Sequence, residues 1–269
     1  MLVGQDRLKQ LITKYSQTGL PKTLMFTGGL GCGKHSFAKY LAQECNLEYQ
    51  ELDSSISSED ISAIQFSTVR TLYVIDLDTF SLIQQNQILK FIEEPSEPVY
   101  ILLLTSSEST VLQTVLNRCV KIAFEPYTTE QLQFISKNSG LTDPRAYEIF
   151  KTPGKIMALT NSSFSELMNL AEKVVHKIKL ASYANAMLIS TKINYKDLYD
   201  KIDFYLFFDA VEYTAFEDFK NNNNFESFEV FKITNQFRQR TAQKMLIKET
   251  LVLNYITTLW EAMHDFKTT

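Results

Sequence analysis

The sequence predicts an α/β fold: a parallel sheet domain, followed by a small helical lid and an all-α C-terminal part. Three observations predict it. Short apolar runs alternate with helical patterns as far as Phe124, a Gly-rich loop follows the first run, and strand signals stop after Phe124. Strands alternating with helices imply a parallel sheet covered on both faces.

The elements follow in order. Thr23 to Thr27 reads as a buried strand and Gly28 to Lys34 as a Gly-rich loop. Ser36 to Cys45 reads as a helix, with Phe37, Tyr40 and Leu41 at spacings of three and four. Leu47 to Leu52 is a second strand. Ser57, Ser58, Glu59 and Asp60 form a helix start, with a serine cap and an acidic first turn. Leu72 to Ile75 is a third strand. Ser81 to Ile92 is expected to be one amphipathic helix, with Ile83, Ile88 and Phe91 among its apolar positions and Pro95 ending it. Val99 to Leu104 and Val120 to Phe124 complete the sheet. Thr128 and Gln131 then form a capping-box pattern, and Gly140 closes that helix. Asp143-Pro144 and Pro153-Gly154 open two further short helices. From Ser165 onward longer amphipathic helices dominate, interrupted at Asn221 to Asn224. The expected domains are residues 1–125, 126–162 and 163–269.

Composition narrows the function classes. The chain has 269 residues, 45% hydrophobic and 22% charged, an ordinary globular balance. No stretch reaches the ~20 apolar residues that span a bilayer, and Met1 to Gln10 lacks a secretory apolar run. No membrane partner is therefore expected. Cys32, Cys45 and Cys119 lack metal-ligand spacing, which points to a reducing compartment and to no zinc. A net charge of −4 argues against tight DNA binding by bulk electrostatics.

Gly28-Gly29-Leu30-Gly31-Cys32-Gly33-Lys34 fits G-x-x-x-x-G-K between a strand and a helix. Backbone N–H groups around Gly28, Gly31 and Gly33 can curl about phosphates, with Lys34 as a point charge and the helix N-terminus adding its dipole. The expected ligand is ATP or ADP. The next position calls for a Ser or Thr hydroxyl on Mg²⁺, but it is His35. Ser36 comes one residue late, about 100° around the helix. Leu72 to Asp76 is an apolar strand ending in a carboxylate, so Asp76 is the candidate Mg²⁺ partner. The water-activating glutamate expected next is replaced by Leu77, with Asp78 displaced by one residue. Both departures count against hydrolysis and against Mg²⁺ at this site. Neither removes the phosphate cradle.

Ser81 to Pro95 reads SLIQQNQILKFIEEP, with Asn86, Leu89, Lys90, Glu93, Glu94 and Pro95 at characteristic places. This segment resembles bacterial and phage clamp-loader subunits of the AAA+ class. Val3-Gly4-Gln5, Leu116-Asn117-Arg118-Cys119 and Pro153-Gly154-Lys155 extend the resemblance over roughly Leu2 to Leu159. It implies an AAA+ sheet domain, a lid and a helical collar that joins a hetero-oligomer, usually a pentamer. The implied partners are other loader subunits, a sliding clamp and primed DNA, in the cytoplasm of a bacterial or phage-infected cell. Arg118 would be an arginine finger for a neighbour's ATP site. Thr105 or Ser106 would be the sensor beside the outer phosphate, and Lys155 the lid cation, where arginine is usual. The helix carrying Ser58 and Ser62 resembles the one that faces DNA, although Glu59 and Asp60 would oppose a phosphate. An active motor subunit, with Asp78 standing in, and another AAA+ protein such as a helicase loader remain the alternatives.

Overall fold

The structure, a computed structural model, describes residues 2–194, 204–241 and 248–265. The chain folds as two compact units: Met1–Leu132 with Thr152–Gly154, and Gln133–Lys151 with Lys155–Thr269.

The first unit is built on five parallel strands: β1 (Thr23–Thr27), β2 (Glu48–Leu52), β3 (Thr71–Asp76), β4 (Val99–Thr105) and β5 (Val120–Ala123). Their order is β2-β3-β4-β1-β5. The three inner strands are almost wholly buried because helices cover both faces; the edge strands β2 and β5 are largely exposed. On one face, α1 (Asp6–Thr18) and α2 (Lys34–Glu44) pack Ile12, Phe37 and Leu41 against Leu24, Phe26 and Leu102. On the other, Phe80, Ile88, Phe91 and Val115 close over Met25, Ile75 and Leu103.

The helix expected over Ser81 to Ile92 is two helices, α4 (Leu82–Gln87) and α5 (Leu89–Glu93), parted at Ile88. Docking explains the break. Gln85 is buried, and its carboxamide donates to the Thr110 carbonyl at 3.1 Å and accepts from the Leu112 amide at 2.9 Å. Gln84 reaches the Ser54 carbonyl at 2.6 Å. These anchors fix the first helix, and Phe91 and Ile92 then turn into the core. Ile83 is not on the apolar face: it is 72% exposed beside Leu82 at 57%. Helix α3 (Ser58–Gln65) starts at the Ser57–Asp60 capping box, and α6 (Gln113–Leu116) leads into β5.

The second unit is helical among its described residues. Helix α7 (Thr129–Ser139) begins in the first unit and ends in the second. Its Thr128–Gln131 capping box forms, and Gly140 follows with φ 79°. Then come α8 (Arg145–Ile149), α9 (Pro153–Met157, whose first two residues belong to the first unit), α10 (Asn161–Lys177), α11 (Tyr183–Asn194), α12 (Phe204–Asn222), α13 (Phe225–Thr241) and α14 (Lys248–Asp265). Asn222 still belongs to α12, so the expected interruption shrinks to Asn223 and Asn224. Phe207, Phe208 and Tyr255 are buried together, and the Tyr255 hydroxyl lies 2.7 Å from that of Thr234. Part of the aromatic wealth of this region therefore goes into a core. Phe216, Tyr183 and Phe225 are exceptions at 46%, 50% and 67% exposed, and the side chain of Phe204 lies outside the described residues.

Candidate nucleotide site at the strand ends

In a parallel sheet every strand delivers its C-terminal end to the same edge, and ligands gather there. Because β4 lies between β1 and β3, the loop after β1, the carboxylate ending β3 and Thr105 ending β4 fall side by side. The register pairs Thr27 with Thr105 and Asp76 with Leu104.

Gly28 to Lys34 leaves β1 and turns into α2. Gly33 is the N-cap with φ 98°, a backbone state open chiefly to glycine. Three successive carbonyls of the loop are held from outside. The Thr152 hydroxyl donates to Leu30 at 3.0 Å, the Gly154 amide to Gly31 at 2.8 Å, and the Tyr127 hydroxyl to Cys32 at 2.8 Å. A peptide is planar and trans, so its N–H points opposite to its C=O. Those props therefore aim the Gly31 and Gly33 amides the other way, as a phosphate cradle requires. Gly154 comes so close that a Cβ there would sit 2.7 Å from the Gly31 Cα. Lys34 is 8% exposed, and its ammonium donates to the Gly28 carbonyl at 2.6 Å. The donor set fits a diphosphate: loop amides, a lysine and the start of α2.

The residues do not fit Mg²⁺. His35 stands where a hydroxyl should, and its ring nitrogens lie 3.8 Å from Asp76 Oδ2 and 3.6 Å from Glu51 Oε1. The imidazole thus faces the carboxylate that a metal would need, and it offers a softer ligand than the oxygens Mg²⁺ prefers. The nearby Asp76 carboxylate is the largest influence on His35 and raises its pKa, aided by Glu51 and opposed by burial. For Asp76, burial pushes the pKa up, but His35, the Asp78 amide and Lys34 together outweigh it and hold the carboxyl low. Ser36 follows His35 on α2 and is exposed.

Leu77, in the place of the water-activating glutamate, is buried in the core. Asp78 does not stand free in its stead. Its carboxylate accepts the Thr105 hydroxyl at 3.0 Å and the Ser106 amide at 2.8 Å. Thr105 is itself fully buried, whereas Ser106 is exposed. Lys155 forms an ion pair with Asp209 of α12, and Arg238 also reaches Asp209 and Glu212.

Arg118 lies between α6 and β5. Its Nε lies 3.1 Å from a Glu93 carboxylate oxygen as an ion pair, one terminal nitrogen donates to the other Glu93 oxygen at 3.3 Å, and the second donates to the Thr114 carbonyl at 2.9 Å. On α3, Ser58 and Ser62 are exposed, with the Ser62 hydroxyl donating to the Ser58 carbonyl. Glu59 is exposed too, and the Asp60 carboxylate serves the Ser57 cap.

Gln5 is a feature whose reason the sequence did not disclose. It is a non-glycine residue with φ 55°, a strained conformation, yet 5% exposed. Its carboxamide copies a peptide group: it donates to the Glu125 carbonyl at 2.6 Å and accepts from the Glu125 amide at 2.9 Å. The N-terminal segment is thereby fastened just beyond β5. Among the described residues no cluster of three or more His, Cys, Asp or Glu side chains could hold a metal, and no helix is long and apolar enough to cross a membrane.

The family described as DNA polymerase III, delta subunit, matches residues 50–128. The chain is 25% identical over 95 residues to the delta' subunit of DNA polymerase III from Bacillus subtilis, covering 35% of this chain and 29% of that one. It is 24% identical over 166 residues to the gamma/tau subunit of DNA polymerase III from Mycoplasma pneumoniae, covering 49% and 24%. It thus spans well under two thirds of the length of either relative. The Thermotoga maritima RuvB Holliday junction branch migration motor shares the fold, with a TM-score of 0.50 and 16% identity over 82% of this chain and 77% of that one. Residues 50–128 are thus similar to DNA polymerase III subunits of the loader type, and the fold is shared with the RuvB motor.

Proposed function

We propose that this chain is a subunit of a multi-subunit AAA+ clamp loader that helps to place a sliding clamp on primed DNA. The loader reading is carried by the stretch at residues 50–128, which holds Asp76, the Ser81–Pro95 segment and Arg118. The chain holds ATP or ADP on the Gly28–Lys34 loop without turning it over. Its Arg118 serves a neighbouring subunit, where a guanidinium stabilises charge on the phosphoryl group in flight. The Glu93–Arg118 pair is partly exposed, with side chains 50% and 32% accessible, and such pairs contribute only about 0–1 kcal/mol. A neighbour's phosphates can therefore draw the arginine away.

Residues 126–162 act as the lid and 163–269 as the collar that joins the other subunits, as a pentamer. The exposed Leu82–Ile83 pair gives the sheet domain an apolar contact for a partner such as the clamp. DNA is met through the complex, with Ser58 and Ser62 contributing helix-end contacts at most, since Glu59 is exposed beside them. The setting is the cytoplasm of a bacterial or phage-infected cell.

The test is ATP turnover by the purified chain, then by the chain with DNA polymerase III loader subunits, then with Arg118→Ala. The expected result is no turnover alone, turnover in the complex, and loss of most of it with Arg118→Ala. Turnover by the isolated chain that Lys34→Ala abolishes would show a motor subunit instead. Failure to assemble with any loader subunit would sink the loader reading.

A further inference from the structure

We infer that the Gly28–Lys34 loop is a metal-independent diphosphate site that does not read a third phosphate, a refinement that rests on the nucleotide binding proposed above. The cradle for two phosphates is intact. The Leu30, Gly31 and Cys32 carbonyls are held outward, the Gly31 and Gly33 amides face the other way, and Lys34 lies against the loop. Among the described residues, the Thr105 hydroxyl, the Ser106 amide and Lys155, the groups expected to read a further phosphate, are engaged elsewhere. The single proton of the Thr105 hydroxyl has two acceptors within reach, Asp78 at 3.0 Å and the Ser107 carbonyl at 2.9 Å. The Ser106 amide donates to both oxygens of Asp78, at 3.0 and 2.8 Å. Lys155 is paired with Asp209 in the helical unit. The imidazole of His35 faces Asp76, the carboxylate that would help to hold a divalent cation.

Recruiting any of these groups costs an existing bond, and a buried polar partner left behind adds its own penalty. Charge acts in the same direction. Asp76 and Glu51 both stand beside His35 at this edge. With no Mg²⁺ to neutralise it, a third phosphate brings extra negative charge toward two carboxylates. The inference is therefore a nucleoside diphosphate held through loop amides and Lys34, indifferent to divalent cations.

The experiment is calorimetric titration of the purified full chain with ADP and with ATP, each in Mg²⁺ and in EDTA, with pyrophosphate as competitor. ADP is expected to bind at least as tightly as ATP, with affinities that differ less than about twofold between Mg²⁺ and EDTA, and pyrophosphate is expected to displace it. Lys34→Ala should weaken ADP by about tenfold or more. His35→Ser, which uncovers Asp76 and supplies the hydroxyl, should make ATP binding depend on Mg²⁺; a thermal melt checks that this variant folds. A loss of about tenfold in wild-type affinity on adding EDTA, or a tenfold preference for ATP, overturns the inference and leaves nucleotide binding standing. No binding under any condition overturns both.

Discussion

His35 and Asp76 shift each other's titration in opposite directions, and the signs define a window. His35 has its pKa raised, so its contribution to stability is full below the ordinary imidazole value near 6.5 and is lost as pH rises through the raised value. Asp76 has its pKa lowered, so its contribution is full above the ordinary carboxylate value near 3.9 and is lost as pH falls through the lowered one. The pair is therefore complete between about pH 4 and 6.5. Asp76→Asn is expected to lower the His35 pKa, read from the imidazole proton shifts by NMR, and to cost no more than about 1 kcal/mol because both side chains are partly exposed. An unchanged His35 titration would mean that the contact does not form. Glu212 is a different case. Burial pushes its pKa up to about 7 despite Arg238 beside it. Folding then favours the protonated acid, so stability falls as pH rises from about 4.5 toward 7. Glu212→Gln should flatten that fall, reducing the difference in unfolding free energy between pH 5 and pH 8, read by urea unfolding, by an amount on the order of 1 to 3 kcal/mol. An equal slope in both proteins would contradict it.

Among the elements, what the sequence disclosed depended on how far apart the interacting residues lie. The Ser57–Asp60, Ser81–Gln84 and Thr128–Gln131 caps each join residues three apart, and their pattern is visible in the sequence. So are the buried strands and the Gly-rich turn, because an apolar run or a required positive φ leaves a mark at its own position. The break at Ile88 leaves none, since distant anchors at Ser54 and Thr110 produce it. The same holds at the candidate site. Lys34, His35 and Asp76 are legible as residue types, but the capture of Thr105 by Asp78, of Arg118 by Glu93 and of Lys155 by Asp209 depends on chain segments that periodicity cannot bring together. One close approach between elements gives a direct test. Gly154→Ala would place a methyl 2.7 Å from the Gly31 Cα, so the phosphate loop or α9 must shift. The expected cost is about 1–3 kcal/mol in urea unfolding, together with weaker nucleotide binding. A variant as stable as the wild type would mean that the approach is looser than drawn.

For the molecule as a whole, each unit has its own core. Both clusters that close the sheet lie between Leu2 and Phe124. A chain lacking Asn161–Thr269 is therefore expected to keep a cooperative thermal transition from the sheet while losing assembly with loader partners, as size-exclusion chromatography would report. Its lid would suffer, because Phe150 packs its ring against Phe164 of the deleted helix. Retained assembly would place the joining surface outside the proposed collar.

The strand order also bears on how the protein is made. The first strand to leave a ribosome, β1, ends as an inner strand between β4 and β5, and neither neighbour exists until Val99 and later residues have been synthesised. At roughly 5–20 residues per second, β1 waits on the order of 4–15 s with both edges unpaired. The Gln5 clasp on Glu125 is later still. Nascent chains stalled just before β4 should therefore be open to proteases and chaperones, and those stalled well past Glu125 should not.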